Sequence, residues 1–583
     1  MTAYRILIPY LRPGYFPLAV GICLLVLVDF LQLLIPRFIK GAVDALSVGR
    51  ATAGTLIKTM VLIFGVSLII FSFRFLWRRL IFGQARRIEE ALRNRLVGQF
   101  FLLSPAFFQR RPIGDLMAHA TNDMEAVRMA LGMGLVSLVD SFFLGSAAIG
   151  FMIYISPGLT AAALLPMPVV AYLTYRLSRV FHKKFESVQV LFSGLMETVR
   201  ESLVGILVVK AYNLQSRELG RLSELSGQYL DKNLQLARIT GTLFPLSLLL
   251  TNLSLAAVIW LGGVQVYQGK ITTGDFVAFI SYLGMLGWPV MALGWVVNLL
   301  KRGGVSLERI ERLLDEKPEI ADRPGLTSPL SAIRKISIHN LTFYYPGQER
   351  PVLKDLNLEI AAGQQILFTG RTGSGKTTLA QLLVRLYDPP EGTVALDGQA
   401  IHNLPLGYLR STISLVPQVP FLFSDTLRAN LRMADPEAEE AQLWEALSLA
   451  ALEKEVRAFP EGLETVVGEK GVLLSGGQRH RLALARALLF NPPFLILDNT
   501  LASVDLSTER QILEALKSRR EGLTTIFISH RLVGLEAVDG VFLFEAGRIA
   551  ESGRHQALIE QKGLYSRLYQ RQRLEKEIRE GVF

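Results

Sequence analysis

The chain has 583 residues, 50% hydrophobic and 19% charged, with a formal net charge of +11 and a mean hydropathy of +0.34. It is too apolar for an ordinary soluble protein and too charged for one lying wholly in a bilayer, so a membrane domain joined to a soluble domain is expected. The single cysteine, Cys23, excludes an intrachain disulfide and a thiolate metal cluster. Six apolar stretches come first, near 15–38, 54–79, 132–153, 158–180, 240–267 and 275–299. Each is about the ~20 residues that a helix needs to cross a bilayer. The first is too long for a cleaved signal peptide, and no small-residue cleavage site follows it.

The connections alternate in charge. Those near 39–53, 154–157 and 268–274 are short and carry only Lys40, Arg50 and Lys270 as basic residues. Those near 80–131 and 181–239 are long and basic, with Arg86, Arg87, Arg110, Arg111, Lys183 and Lys184 among them. The positive-inside rule puts the long segments, and both termini, in the cytoplasm. This topology accounts for much of the positive charge, so no nucleic-acid partner is expected. Residues 86–103 carry apolar residues at helical spacing, and no proline interrupts them before Pro105. Continued from the second span, this helix would project on the order of 30 Å from the membrane; a separate amphipathic helix on the membrane surface is the other reading.

Near residue 318 the character changes. Residues 317–331, KPEIADRPGLTSPLS, are proline-rich and polar and read as a linker. Strand-like runs (ISIHNLTFYY, QQILFTG, FLILD) then alternate with helix-like ones (TTLAQLLVRLY, RLALARALL). The expected organisation is an all-α six-helix transmembrane domain over 1–316, a linker over 317–334, an α/β P-loop domain over 335–575 and a charged tail over 576–583.

Gly370 to Thr377 reads GRTGSGKT, between a strand candidate and a helix candidate. This is the context a phosphate-binding loop requires. Glycines let backbone N–H groups turn towards phosphate oxygens, and the helix N-terminus adds positive potential. Gly370, Arg371, Thr372, Gly373, Ser374, Gly375, Lys376, Thr377 and Thr378 are the candidate ATP-binding residues, with Lys376 on the β- and γ-phosphates and Thr377 on Mg2+. Asp498, ending the apolar run FLIL, is the second Mg2+-holding group. Ser475, Gly476, Gly477 and Gln478, in LSGGQRHR, open an apolar helix and form a second anion-ready N-terminus. A plain surface helix capped by Ser475 is the alternative there.

LSGGQ resembles the signature of the ATP-binding cassette (ABC) transporter family. In that family the signature of one nucleotide domain clamps the γ-phosphate held by the phosphate loop of another. The resemblance implies roles for further positions. Tyr345 matches the aromatic that stacks on adenine, with Tyr344 as the neighbouring alternative. Gln418 matches the γ-phosphate and Mg2+ sensor, His530 the switch histidine, and Asp505 the aspartate of the loop at the dimer interface. Glu469, in TVVGEKG, resembles a stretch ahead of the signature in exporters. Residues 107–127 and 208–218 are similar to the two cytoplasmic coupling segments of bacterial ABC exporters. Taken over nearly the whole chain, the resemblance is to bacterial multidrug-resistance-like half-transporters of the MdlA type, which pair with a second, different half.

Two positions depart from the family pattern. Asn499 stands where the family has a catalytic glutamate, and Ala502-Ser503 reverses the usual serine-alanine pair. Asparagine cannot take a proton from water, and general-base catalysis contributes roughly 10²–10⁴-fold. Slow hydrolysis at this chain's own phosphate loop is therefore expected, with ATP and Mg2+ binding preserved. An intact signature beside a missing base implies a heterodimer in the bacterial plasma (inner) membrane, whose partner carries the glutamate. A homodimer with two slow sites, such as a lipid flippase, and an introduced Glu→Asn exchange stand beside that reading. The expected cargo is an amphipathic or hydrophobic molecule: a drug, a lipid or a peptide. An ATP-gated channel or regulatory subunit is the competing class. Within the spans, Asp29, Asp140, Arg74 and Arg78 are candidates for function or for helix–helix hydrogen bonds and snorkelling. Trp288, Trp295 and Asn298 face either a central cavity or a packing interface.

Overall fold

The computed structural model describes residues 2–323, 326, 333–468, 473–532 and 534–579. It consists of two compact units, one formed by Met1–Gly98 with Met117–Asp315 and the other by Gln99–Leu116 with Glu316–Phe583.

The first unit is helical. Its main elements are α1 (Tyr15–Ser47), α2 (Ala53–Leu102), α3 (Leu135–Ile155), α4 (Met167–Val204), α5 (Gln215–Tyr267), α6 (Thr273–Met285) and α7 (Gly287–Leu314). Among the described residues, three helical stretches are long and apolar enough to cross a membrane: Tyr15–Ser47, Ala53–Leu102 and Ile113–Ile155. Asn252–Tyr267, within α5, is a shorter apolar helix. The remaining expected stretches fall on Pro157–Leu164 with α4, on α5, and on α6 with α7. Only 6% of the apolar window of α2 is buried within the chain. Phe64, Phe71 and Phe75 lie more than half exposed along it. Such a surface is stable against hydrocarbon and unstable in water. The helix expected over 86–103 is continuous with α2, whose 50 residues span about 75 Å at 1.5 Å each.

Interdigitated apolar side chains hold the spans together. Leu25 and Val28 of α1 pack with Ile70 and Trp77 of α2 and Val136 and Val139 of α3. A second cluster joins Ala148 and Met152 of α3 to Phe279 and Tyr282 of α6. There the Tyr282 hydroxyl donates to the Leu33 carbonyl at 2.9 Å. Thr272 and Asp275 cap the start of α6 reciprocally. Asp29 Oδ2 and Asp140 Oδ1 are buried without a hydrogen-bond partner. The helix–helix hydrogen bonds weighed for these carboxylates do not form at those two oxygens. Trp288 and Trp295 are substantially exposed on this chain.

The second unit carries two sheets. Strands β1 (Lys335–Phe343), β2 (Leu353–Ala361), β4 (Val394–Leu396) and β5 (Gln399–Ala400) form an antiparallel sheet in the order β2-β1-β4-β5. β3 (Gln365–Gly370), β6 (Ile413–Val416), β7 (Phe494–Asp498), β8 (Thr524–Ile528), β9 (Gly540–Glu545) and β10 (Arg548–Gly553) form the other, in the order β10-β9-β3-β8-β7-β6. All its pairings are parallel except β9 with β10. Every residue of β7 and β8 is buried, as expected of a parallel sheet covered on both faces. Burial along β2 alternates instead, the mark of a strand with one solvated face. Gln99–Leu116 belongs to this unit: Ala106 joins the core of Ile336, Leu356 and Tyr387. Ser104 and Arg110 both reach the Glu319 carboxylate at 2.9 Å.

Candidate functional site

The parallel strands end together and present three groups at their carboxyl ends, where ligands of open α/β sheets bind. β3 ends in Gly370, β7 ends in Asp498, and His530 follows β8 by two residues. Gly370 is obligatory. Its φ is +136°, and a Cβ there would lie 2.1 Å from the Phe544 carbonyl oxygen of the neighbouring β9. Gly375, at φ +101°, precedes α8 (Lys376–Leu383), and a Cβ on it would strike Leu353. The loop between them borders a cavity of about 330 Å³ that Thr372–Thr378, Gln418, Asp498, Asn499 and His530 line.

Lys376 is buried, and its ammonium donates to the Gly370 and Arg371 carbonyls at 3.0 and 2.9 Å and to Ser374 Oγ at 3.0 Å. Burial pushes its pKa down to about 8, against a smaller opposing pull from Asp498. The Thr377 hydroxyl donates to Asp498 Oδ2 at 2.8 Å. Burial raises the Asp498 pKa, while Thr377, Lys376 and His530 act in the other direction. A buried carboxylate beside a hydroxyl and an amide offers the hard oxygen donors that Mg2+ prefers. No group of three or more His, Cys, Asp or Glu side chains capable of holding a metal occurs among the described residues.

His530 Nδ1 lies 2.9 Å from the Gly370 carbonyl oxygen. Because a carbonyl only accepts, Nδ1 carries the proton, and in the tautomer this selects Nε2 is the acceptor. Asn499 has a left-handed backbone (φ +51°), and its N–H donates to the Ile528 carbonyl at 2.8 Å. Asparagine tolerates this conformation better than most residues. Tyr345 is packed edge-on against Phe343 and Tyr387, and its hydroxyl meets Thr378 Oγ1 at 3.0 Å and Gln381 at 3.1 Å. Tyr344 is the more exposed of the two, at 48%.

The other expected residues lie outside this cavity. Ser475 caps α9 (Gly476–Phe490): its hydroxyl accepts from the Gln478 N–H, and Gln478 Oε1 accepts from the Ser475 N–H. Gln478 Nε2 is held in turn by Glu455 at 2.6 Å. A Cβ on Gly476 would meet open space, but one on Gly477 would lie 2.8 Å from the Ser503 carbonyl oxygen. Asp505 caps α10 (Leu506–Arg519), accepting at Oδ1 from the N–H groups of Ser507 and Thr508. With the Ser507 hydroxyl, these bonds hold its carboxyl far below the usual range. Glu469 lies outside the described residues.

Sequence reasoning missed two residues at the site. His480 places its ring nitrogens 2.9 Å from the Gly476 carbonyl and 3.0 Å from that of Gln418, joining the start of α9 to the glutamine loop. Gln572, near the C-terminus, hydrogen-bonds the backbone on both sides of Arg531. Neither carries a signal in its local sequence.

Residues 18–290 match the ABC transporter transmembrane region, and residues 353–502 match the ABC transporter family. The chain is 36% identical over 559 residues to the "Multidrug resistance-like ATP-binding protein MdlA" of Escherichia coli (strain K12), covering 95% of this chain and 94% of that one. It is 33% identical over 497 residues to an "ATP-dependent lipid A-core flippase" of Syntrophus aciditrophicus (strain SB), covering 85% and 82%. Among solved structures, a bacterial Atm1-family ABC exporter with ATP bound superposes with a TM-score of 0.78 at 29% identity, covering 96% of this chain and 98% of that one. A helical membrane region, an α/β unit with its phosphate loop at the end of β3, and these relatives lead to one assignment: the chain belongs to the ABC transporter family, as a multi-pass, ATP-hydrolysing member of its multidrug and lipid exporter branch.

Proposed function

We propose that this chain is one half of an asymmetric exporter in the bacterial plasma membrane, with its nucleotide unit in the cytoplasm. It moves amphipathic or hydrophobic molecules out of the cytoplasm or the inner leaflet. Its own phosphate loop binds Mg·ATP and turns it over slowly, while its signature completes a faster site on a different partner chain. The observation that carries this reading is Asn499, which lines the cavity together with Thr372–Thr378, Gln418, Asp498 and His530. Lys376 and the N–H groups of 373–378 would hold the phosphates. Thr377, Asp498 and Gln418 would hold Mg2+, which neutralises the charge that develops on the transferred phosphoryl oxygens. His530 Nε2 would accept a hydrogen bond from the attacking water. Asn499 orients water without removing its proton. Tyr345 or Tyr344 would stack on adenine. Ser475, Gly476, Gly477 and Gln478 would face the partner's γ-phosphate, with Asp505 at the interface between the two nucleotide units.

The test is the intact mass of the complex extracted from its own membrane. This chain plus a different subunit of similar size, bearing glutamate at the position of Asn499, is the expected result. Twice this chain would sink the heterodimer. A homodimeric lipid flippase is the second reading, favoured by the likeness to the lipid A-core flippase. It predicts the doubled mass together with ATPase activity stimulated by lipid.

A further inference from the structure

His530 is tethered on two sides. Its ring donates to the phosphate loop at the Gly370 carbonyl. On the other side, its own carbonyl accepts from Gln572 Nε2 at 2.6 Å, and the Leu532 N–H donates to Gln572 Oε1 at 2.8 Å. One carboxamide thus spans the backbone on either side of Arg531. A carbonyl demands a donor and an N–H demands an acceptor, so only one orientation of the amide serves both. Gln572 belongs to α11 (Leu564–Arg579), the last helix among the described residues. That helix is itself pinned: the Glu551 carboxylate of β10 accepts from the N–H groups of Leu564 and Tyr565 at 2.6 and 3.0 Å, and the Tyr569 hydroxyl donates to Glu536 at 3.2 Å. Negative charge at a helix N-terminus is stabilising there.

We infer that Gln572 is a positioning residue for His530: it fixes where the imidazole stands and so makes ATP turnover depend on the C-terminal helix. The inference rests on His530 taking part in turnover, as proposed above. Without the carboxamide the segment 530–532 keeps its place two residues after β8 and its Arg531–Glu509 ion pair. It loses the two bonds that hold the histidine backbone at a fixed distance from the phosphate loop. A displacement of about 1 Å at a reacting group costs up to 10²-fold in rate.

The test uses the full-length chain assembled with its native partner in lipid, reading single-turnover phosphate release from this chain's own site. Rates are ratios to the unmodified chain, so the slow base rate imposed by Asn499 cancels. Gln572→Ala should slow release on the order of tenfold and leave half-saturating ATP unchanged. Gln572→Glu is isosteric but presents an anion to the His530 carbonyl, so it should slow release comparably. His530→Ala should slow release, and adding Gln572→Ala should slow it no further. Arg571→Ala, an exposed neighbour on the same helix, should leave the rate unchanged. A Gln572→Glu protein as fast as the unmodified chain would show that Gln572 only fills space and would overturn the proposal. So would a Gln572→Ala loss that multiplies with that of His530→Ala. A His530→Ala protein at full rate would instead sink the role given to the histidine itself, and the proposal with it.

Discussion

Asn499→Glu is the most informative single change. It supplies a base at the end of β7, where the family places one, and general-base catalysis contributes roughly 10²–10⁴-fold. The structure sets an opposing term. Residue 499 stands at φ +51°, and a non-glycine residue without asparagine's tolerance costs about 1–2 kcal/mol there. If about 1 kcal/mol of that returns as misplacement of the new carboxylate, it removes about fivefold, since 1.36 kcal/mol is tenfold in rate. The net expectation is a rise of roughly 20- to 2,000-fold in single-turnover hydrolysis. The assay is γ-phosphate release from radiolabelled ATP by the assembled transporter, with the partner's phosphate-loop lysine replaced to silence its own site. Asn499→Gln is the control, because it carries a similar backbone cost without a base and should show no rise. Asn499→Asp keeps the backbone tolerance and offers a shorter base, so it should fall between the two. A Glu variant no faster than the Gln variant would refute the argument that the missing base limits this site.

Burial pushes the Lys376 pKa down to about 8, and a bound triphosphate must raise that value. Between the two values the complex holds more protons than the free protein, so Mg·ATP affinity should be flat below about pH 7 and fall by up to tenfold per unit above about pH 8; calorimetric titration from pH 6 to 9.5 reads it, and a flat profile contradicts the burial of the lysine. Burial penalises the Asp498 anion, so Asp498→Asn should leave thermal stability of the nucleotide-free protein unchanged or raised while abolishing Mg2+-dependent tightening of ATP binding. A marked loss of stability in differential scanning fluorimetry would show that Asp498 is held for structure. Gly477→Ala drives a methyl to 2.8 Å from the Ser503 carbonyl, an overpacking of about 1–3 kcal/mol. Gly476→Ala meets open space, so the first variant should unfold at lower temperature than the second, and equal midpoints would contradict the close approach.

The phosphate-loop and metal-aspartate candidates could be named from sequence because both depend on local order. A glycine-rich turn after an apolar strand can be read from neighbouring letters, and so can an aspartate ending the run FLIL. Helix caps are local too: Ser475 with Gln478 three residues on, and Asp505 before a helical run, are visible as letters. Contacts between distant segments left no such mark. Gly477 looks like one more signature glycine until the Ser503 carbonyl is seen against it. Gln572 stands in YQRQR, which reads only as a polar helix face, and its partners lie some 40 residues upstream. The run 99–116 falls within the 1–316 segment expected as the membrane domain, its part from Phe107 on as a coupling segment, yet Ala106 sits in the core of the α/β unit. No periodicity encodes which unit a short amphipathic segment joins.

The contacts of the site's side chains also indicate where binding energy arises. The groups aimed at phosphate and metal already have partners. Lys376 bonds two loop carbonyls and Ser374, Thr377 bonds Asp498, and His530 bonds the Gly370 carbonyl. A ligand that takes over these bonds exchanges one set for another, and a net hydrogen bond is worth only about 0.5–1.5 kcal/mol. The bonds themselves therefore contribute little. Charge compensation contributes more: burial acts against the charged forms of both Lys376 and Asp498. Bound phosphates favour the lysine cation and a bound divalent ion favours the carboxylate, relieving both penalties together. Neither relief requires a base at position 499. Tight Mg·ATP binding with slow turnover is thus a coherent state of this site, and removing Mg2+ should weaken ATP binding far more than replacing Asn499 does.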